Sequence, residues 1–236
     1  LMLTLGALQM MLSSQTMYST TDTLSRIQEN GRFALDFIAK DVRMAGYFSD
    51  SLSNVFLHQN DCDGNPCTFN GGGTNSDQFA VLLDPENDLD CLGNNVGAND
   101  VIANVYFVNV QNQVSSLYCR SLNTTTNNWY SAAQPLVDGI ENMQVLYGVA
   151  DPADDYRVTQ YVPEGDAEIT NWANIGALKI SLLVNNGQTT GSGDNLTRQF
   201  VLLDEALSFT DRHNRQVYTT TVTVNNIYYR DDALNL

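Results

Sequence analysis

Histidine is nearly missing from this chain: 236 residues hold two, His58 and His213, far apart in sequence. A nucleophile elbow, a Walker loop, a dinucleotide fingerprint and a zincin helix are missing as well. The glycine-rich stretches at Gly71 to Gly73 and Gly187 to Gly193 lack the strand-to-helix context that cradles phosphate. These gaps leave no residue to nominate as catalytic. Positive charge is also scarce. Eleven Lys and Arg stand against 27 Asp and Glu, for a net charge of −16. That argues against nucleic acid as a partner, because phosphate binding needs a basic footprint. It argues equally against an anionic membrane surface for the acidic body. Proline is rare, with five residues and no proline-rich linker, and no internal repeat is visible. The length fits one large domain or two small ones.

Long apolar runs are absent too. Leu1 to Leu12 (LMLTLGALQMML) carries no charge, but it is shorter than the ~20 residues that span a bilayer. It lacks the basic start and small-residue cleavage site of a signal peptide. The strongest period in the chain lies just beyond it. Between Thr21 and Tyr47, Leu24, Ile27, Ala34, Leu35, Ile38 and Val42 recur at spacings of three, four and seven, on one stripe of an α-helix. Asp22 and Arg26, Glu29 and Arg32, and Asp36 and Lys40 place acid before base on the exposed faces. This helix is charge-balanced, with four acids and four bases, so the other 23 acids and 7 bases carry the whole −16.

No glycine or proline separates Leu12 from the amphipathic segment, so Leu1 to Ala45 reads as one helix about 65 Å long. That exceeds the diameter of a domain of this size, and one end must project. The expected division is a projecting end over residues 1–20 and a globular head over 21–236, which includes the rest of the helix. A projecting apolar end needs a membrane or a bundle of similar helices to bury it, through Leu1, Leu3, Leu5, Leu8 and Leu12. The chain opens in mid-run without Met, and further apolar sequence is expected before Leu1. The competing reading is a buried helix of a globular core.

Four cysteines, Cys62, Cys67, Cys91 and Cys119, allow three disulfide connectivities. Proximity favours Cys62–Cys67 and Cys91–Cys119, each stapling one local loop, in an oxidising compartment. Zinc is the alternative, although the spacing does not form paired knuckles. Asp61, Asp63 and Asn65 offer oxygens at alternate positions, as calcium loops do, but Gly64 is out of place for an EF-hand. The acidic loop from Asp84 to Asp90 is a second calcium candidate. No other cofactor is expected.

Beyond Tyr47 the period falls to two. Strands are expected at Gln78–Asp84, at Val101–Val110 and Val114–Arg120 as a hairpin, across Gln134–Ala150, at Ala177–Val184, at Thr197–Leu203 and at Gln216–Val224. Asp151 to Asn174 reads as irregular, with Trp172 on a short helix, and Asn185 to Asn195 as a flexible loop. One long helix followed by many antiparallel strands is an α+β arrangement.

The segment SRIQENGRFALDFIAKDVRMAGY (Ser25 to Tyr47) resembles the helix of the PilW-type minor pilins of type IV pili. VDGIENMQVLYG (Val137 to Gly148), WANIGALKISLLV (Trp172 to Val184) and RQVYTTTVTVNNI (Arg215 to Ile227) resemble later strands of that family, in the same order. A weaker resemblance runs to the J-type minor pseudopilin of type II secretion. The resemblance implies a pilin-like fold, a long helix packed on antiparallel sheet with long loops. It implies a prepilin with a cleaved leader, an N-methylated first residue and a Glu at mature position five, none of which lies in this sequence. It also implies a non-catalytic subunit that waits in the bacterial inner membrane and then joins other minor and major pilins in an extracellular filament. There, on the same resemblance, it primes assembly at the tip and holds a large adhesin. A calcium-assisted adhesive head is a further alternative. A secreted hydrolase would need a carboxylate pair in a cleft, and nothing nominates one.

Overall fold

The computed structural model describes residues 2–46, 55–58, 62, 66–85, 87–98, 100–189 and 194–226. Within these, the side chains of residues 2–8, 12, 16, 19 and 188 lie outside the description. A single helix, α1 (Met2–Met44), opens the chain, and strands come after it.

Among the described residues the strands form three antiparallel sheets. The first contains β1 (Phe79–Leu83), β2 (Ile102–Gln111), β3 (Val114–Asn123), the two-residue β4 (Asn128–Trp129) and β5 (Gln134–Asp138). The second has the order β11-β8-β6-β7, from β6 (Ile140–Asp151), β7 (Arg157–Val162), β8 (Ile175–Thr189) and β11 (His213–Thr223). The third is a ribbon of β9 (Leu196–Leu202) and β10 (Glu205–Asp211).

The hairpin β2–β3 turns on Asn112 and Gln113, with φ of 51° and 66° and Gln111 opposite Val114. Two consecutive left-handed residues are what a two-residue hairpin needs to match the twist of its strands. The stretch expected as one strand across Gln134–Ala150 is two. Gly139, at φ 82°, separates β5 from β6 and hands the chain from the first sheet to the second. A Cβ there would also collide with the Asn185 carbonyl oxygen, so a glycine is required on two counts.

Three further segments differ from expectation. The acidic stretch after Asp151 contains β7, whose exposed and half-buried residues alternate on a sheet edge. The segment after Val184 continues as strand to Thr189, because β11 pairs along it as far as His213. β10 pairs with β9 where no strand was expected. Trp172 does lie on a short 3₁₀ turn, Trp172–Asn174, capped by the Asn171 side chain.

β8 is covered on both faces, one apolar and the other mixed, with Lys179 and Ser181 beside Leu183. Leu178, Ile180, Leu182 and Val184 belong to the main core, whereas Leu183 packs with Leu202 and Leu207 of the ribbon. The main core is continuous from Ile27, Ala34, Ile38 and Val42 of α1 to Phe79 and Tyr106 of the first sheet and Val145 and Tyr147 of the second. A smaller cluster lies around the Cys62–Cys67 pair, with Ala80, Leu82, Val105 and Leu122.

Candidate assembly helix and its anchor

Helix α1 divides by burial. The described side chains from Gln9 to Tyr18 are exposed, and the first buried one is Thr23. On the exposed part Met10, Met17 and Tyr18 stand 74–79% open to solvent. With Ser14 and Thr21 they fall at i, i+4, i+7, i+8 and i+11, which is one helical face. Unbranched methionines there present a broad, adaptable apolar surface. Of the residues expected to face partners, Leu1 lies outside the described residues. Leu3, Leu5, Leu8 and Leu12 lie on the helix, with side chains outside the description. No helix among the described residues is long and apolar enough to cross a membrane.

From Thr23 onward the helix is anchored. Thr23, Ile27, Gly31, Ala34, Ile38, Val42 and Ala45 are buried in one stripe. Of the residues expected at this contact, Ile27, Ala34, Ile38 and Val42 are fully enclosed, Leu35 packs on the core half-buried, and Leu24 is half-buried. Polar ties fix the ends. The Asn30 side-chain amide donates to the Asp138 carbonyl at 2.9 Å. The Asn226 amide donates to the carbonyls of Met44 and Ala45, satisfying acceptors that a helix C-terminus leaves free.

Two residues of this contact were not expected from the sequence. Gly31 lets the helix approach β11 closely, and Asp41 is buried between the helix and the first sheet. Oδ2 of Asp41 accepts from the Tyr106 hydroxyl at 2.6 Å and from the Asn104 amide at 2.7 Å. Burial raises the Asp41 pKa above its ordinary value against the lowering effect of those two bonds. Ser121 donates in turn to Oδ1 of Asn104 and lies 3.3 Å from the Cys91 sulfur, so a polar relay links the helix to a disulfide.

The cysteines pair as Cys62–Cys67 and Cys91–Cys119. Asp61, Asp63 and Asn65, the first calcium candidate, lie outside the described residues. In the second, Asp90 is buried and its carboxylate accepts from the backbone N–H of Leu92 and Asn94 and from the Asn94 amide. Its oxygens are thus engaged within the loop. Asp151 caps the 3₁₀ turn Pro152–Asp154, and Asp154 pairs with Arg157. Among the described residues no three His, Cys, Asp or Glu side chains are placed to hold a metal. His58 stacks on Trp172 with ring centroids 4.5 Å apart.

Two other carboxylates have shifted pKa values. Asp77 is buried and accepts from the Gly71 and Val145 backbone N–H at 2.8 and 2.7 Å, and desolvation lifts its pKa to about 6. Asp211 is held at about 2, chiefly by its hydrogen bonds from Arg215.

The family model described as Type IV Pilus-assembly protein W matches residues 105–226, just over half of the chain. The match begins within β2 and runs beyond β11, so it rests on the sheets rather than on the helix. No curated protein and no solved structure matches the chain significantly.

Proposed function

Because the chain belongs to the PilW family of type IV pilus-assembly proteins, we propose that it is a non-catalytic minor pilin that primes filament assembly at the tip through its N-terminal helix. Residues 1–20 are the assembly end in this reading and residues 21–236 the head. The observation that carries it is the division of α1, anchored from Thr23 onward and exposing Met10, Met17 and Tyr18 before that point. An exposed apolar helical face is costly in water, at roughly 25 cal/mol per Å² of apolar surface. Helices of neighbouring minor and major pilins would bury it in the filament, and the inner membrane would receive the same end before assembly. The acidic head would then lie at the filament surface and tip, where a large adhesin is a suitable partner.

Leu8→Asp and Met17→Asp test the reading. Filaments sheared from cells expressing each variant are expected to lack this chain, while thermal melting shows an intact head. Incorporation at the wild-type level would overturn it. Quantitative mass spectrometry of wild-type filaments is expected to find traces relative to the dominant pilin. Stoichiometric amounts would discard the tip role, and retention in the membrane fraction would favour a secretion pseudopilus.

A further inference from the structure

A pocket of about 290 Å³ opens beside the last turns of α1. Phe37, Met44 and Leu89 contribute apolar lining, and Asp41, Asn104 and Tyr106 contribute polar lining. Leu89 is 41% exposed at the pocket. Asp41 is only 9% exposed. Both of its hydrogen bonds go to Oδ2, and among the described residues no donor reaches Oδ1. A carboxylate has two acceptor oxygens with about four lone-pair sites, so half of the capacity of this one is unused.

A buried acid in such a place is expensive to ionise, and it either holds a proton or takes a cation. The one base that the chain brings to the pocket is the adjacent Lys40, which also lines it and whose charge draws the Asp41 pKa down against the larger effect of burial. Lys40 is exposed, however, and among the described residues it forms no ion pair with Asp41. Asp90 also lines the pocket and adds negative potential, while its own oxygens are taken by Leu92 and Asn94. Outside the helix the chain has 7 bases against 23 acids, so a basic group is more readily brought by a partner. Lysine and arginine carry an apolar stem behind a charged tip, which matches apolar lining around a carboxylate.

We propose that this pocket receives one lysine or arginine side chain of a neighbouring subunit, with Asp41 as its counter-ion. The identity of that neighbour as a pilus component rests on the assembly reading above; the chemistry of the pocket does not.

The test uses the full chain in detergent micelles, with n-butylguanidinium as the cationic probe and n-butylurea as its neutral counterpart. Binding is monitored by the NMR signals of Tyr106 and the Asn104 side chain. Saturable shifts are expected with the cation and affinity at least tenfold weaker with the urea. Leu89→Trp, which crowds the pocket while leaving the Asp41 hydrogen bonds in place, is expected to weaken cation binding at least tenfold. Asp41→Asn is expected to abolish it. Equal affinity for the two probes, no saturable shift, or an indifferent Leu89→Trp variant would overturn the proposal. The probe binds the isolated chain, so the two readings fail separately. A chain that binds the cation but never enters filaments leaves the pocket and sinks the pilus role, and a filament subunit blind to the cation does the reverse.

Discussion

Gly31 of helix α1 lies directly against the ring of Tyr218 on β11, so close that a Cβ on Gly31 would stand 2.6 Å from Tyr218 Cδ2. Glycine in mid-helix costs roughly 1 kcal/mol relative to alanine. Here that cost is offset by the depth at which the helix seats on the second sheet. Gly31→Ala therefore sets a gain in helix propensity against a clash with ring carbons near the root of the side chain. The clash is expected to win, with a net loss of about 1–2 kcal/mol. In a double-mutant cycle, adding Tyr218→Ala is expected to restore part of the loss, because the obstruction is gone. Chemical denaturation of the four variants measures this, and strict additivity would show that the contact is not limiting.

The Asp77 carboxylate joins the loop at Gly71 to strand β6 at Val145. Its folded pKa of about 6 lies above its ordinary value of 3.8. Between those values the folded chain binds more protons than the unfolded chain, so stability from this group falls as pH rises. The contribution is fully present below about pH 4 and lost through about pH 6. Asp77→Asn removes the titration but leaves one backbone N–H without its acceptor, at a cost of about 1–3 kcal/mol. Denaturation at pH 4.5 and 7 is expected to show a larger deficit for the variant at the lower pH. An equal deficit at both would rule out titration of Asp77 as a source of the pH dependence.

Much of the architecture was legible in the sequence. The helix declared itself because Ile27, Ala34, Ile38 and Val42 keep one face, and the β2–β3 hairpin because two alternating runs meet at Asn112–Gln113. What was illegible depends on distant parts of the chain. Gly139 divides a stretch that reads as one strand, because β5 pairs in the first sheet and β6 in the second although both feed the same core. β7 was hidden by the acidic residues around it, since an edge strand needs only one covered face. Asp41 was indistinguishable from surface charge on a helix whose acids and bases balance. Its donors, Asn104 and Tyr106, lie more than 60 residues away.

Arg215 is 4% exposed at its side chain and bridges Glu141 of β6 and Asp211 of β10 while lying 3.9 Å over the Phe209 ring. It fastens the ribbon to the second sheet. Removing one member of such a group leaves partly buried carboxylates unpaired, so Arg215→Ala is expected to cost about 2–4 kcal/mol. Arg215→Lys is expected to recover only part, because an ammonium cannot form the forked contact or stack on the ring in the same way. Asp211 has its folded pKa lowered to about 2, so its stabilisation is present above about pH 4 and lost as pH falls toward 2. Acid unfolding of wild type and Arg215→Ala checks this, and the two curves are expected to converge at the acid end.

The two disulfides close loops of very different size, with sequence separations of 5 and 28 residues. In the chain-entropy account a cross-link stabilises by restricting the unfolded chain, and more so for longer loops. That account gives about 2 kcal/mol for Cys62–Cys67 and about 3.5 kcal/mol for Cys91–Cys119. The larger bridge also carries the relay from Cys91 through Ser121 and Asn104 to Asp41. Its loss is therefore expected to disturb the helix anchor as well as the acidic loop. Paired Cys→Ser variants, compared by denaturation and by hydrogen exchange of the α1 amides, separate the two effects. Replacing Cys91 and Cys119 is expected to cost more stability and to loosen the amides around Asp41, while replacing Cys62 and Cys67 leaves those amides protected. Equal losses with unchanged helix protection would show that the relay does not couple bridge and helix.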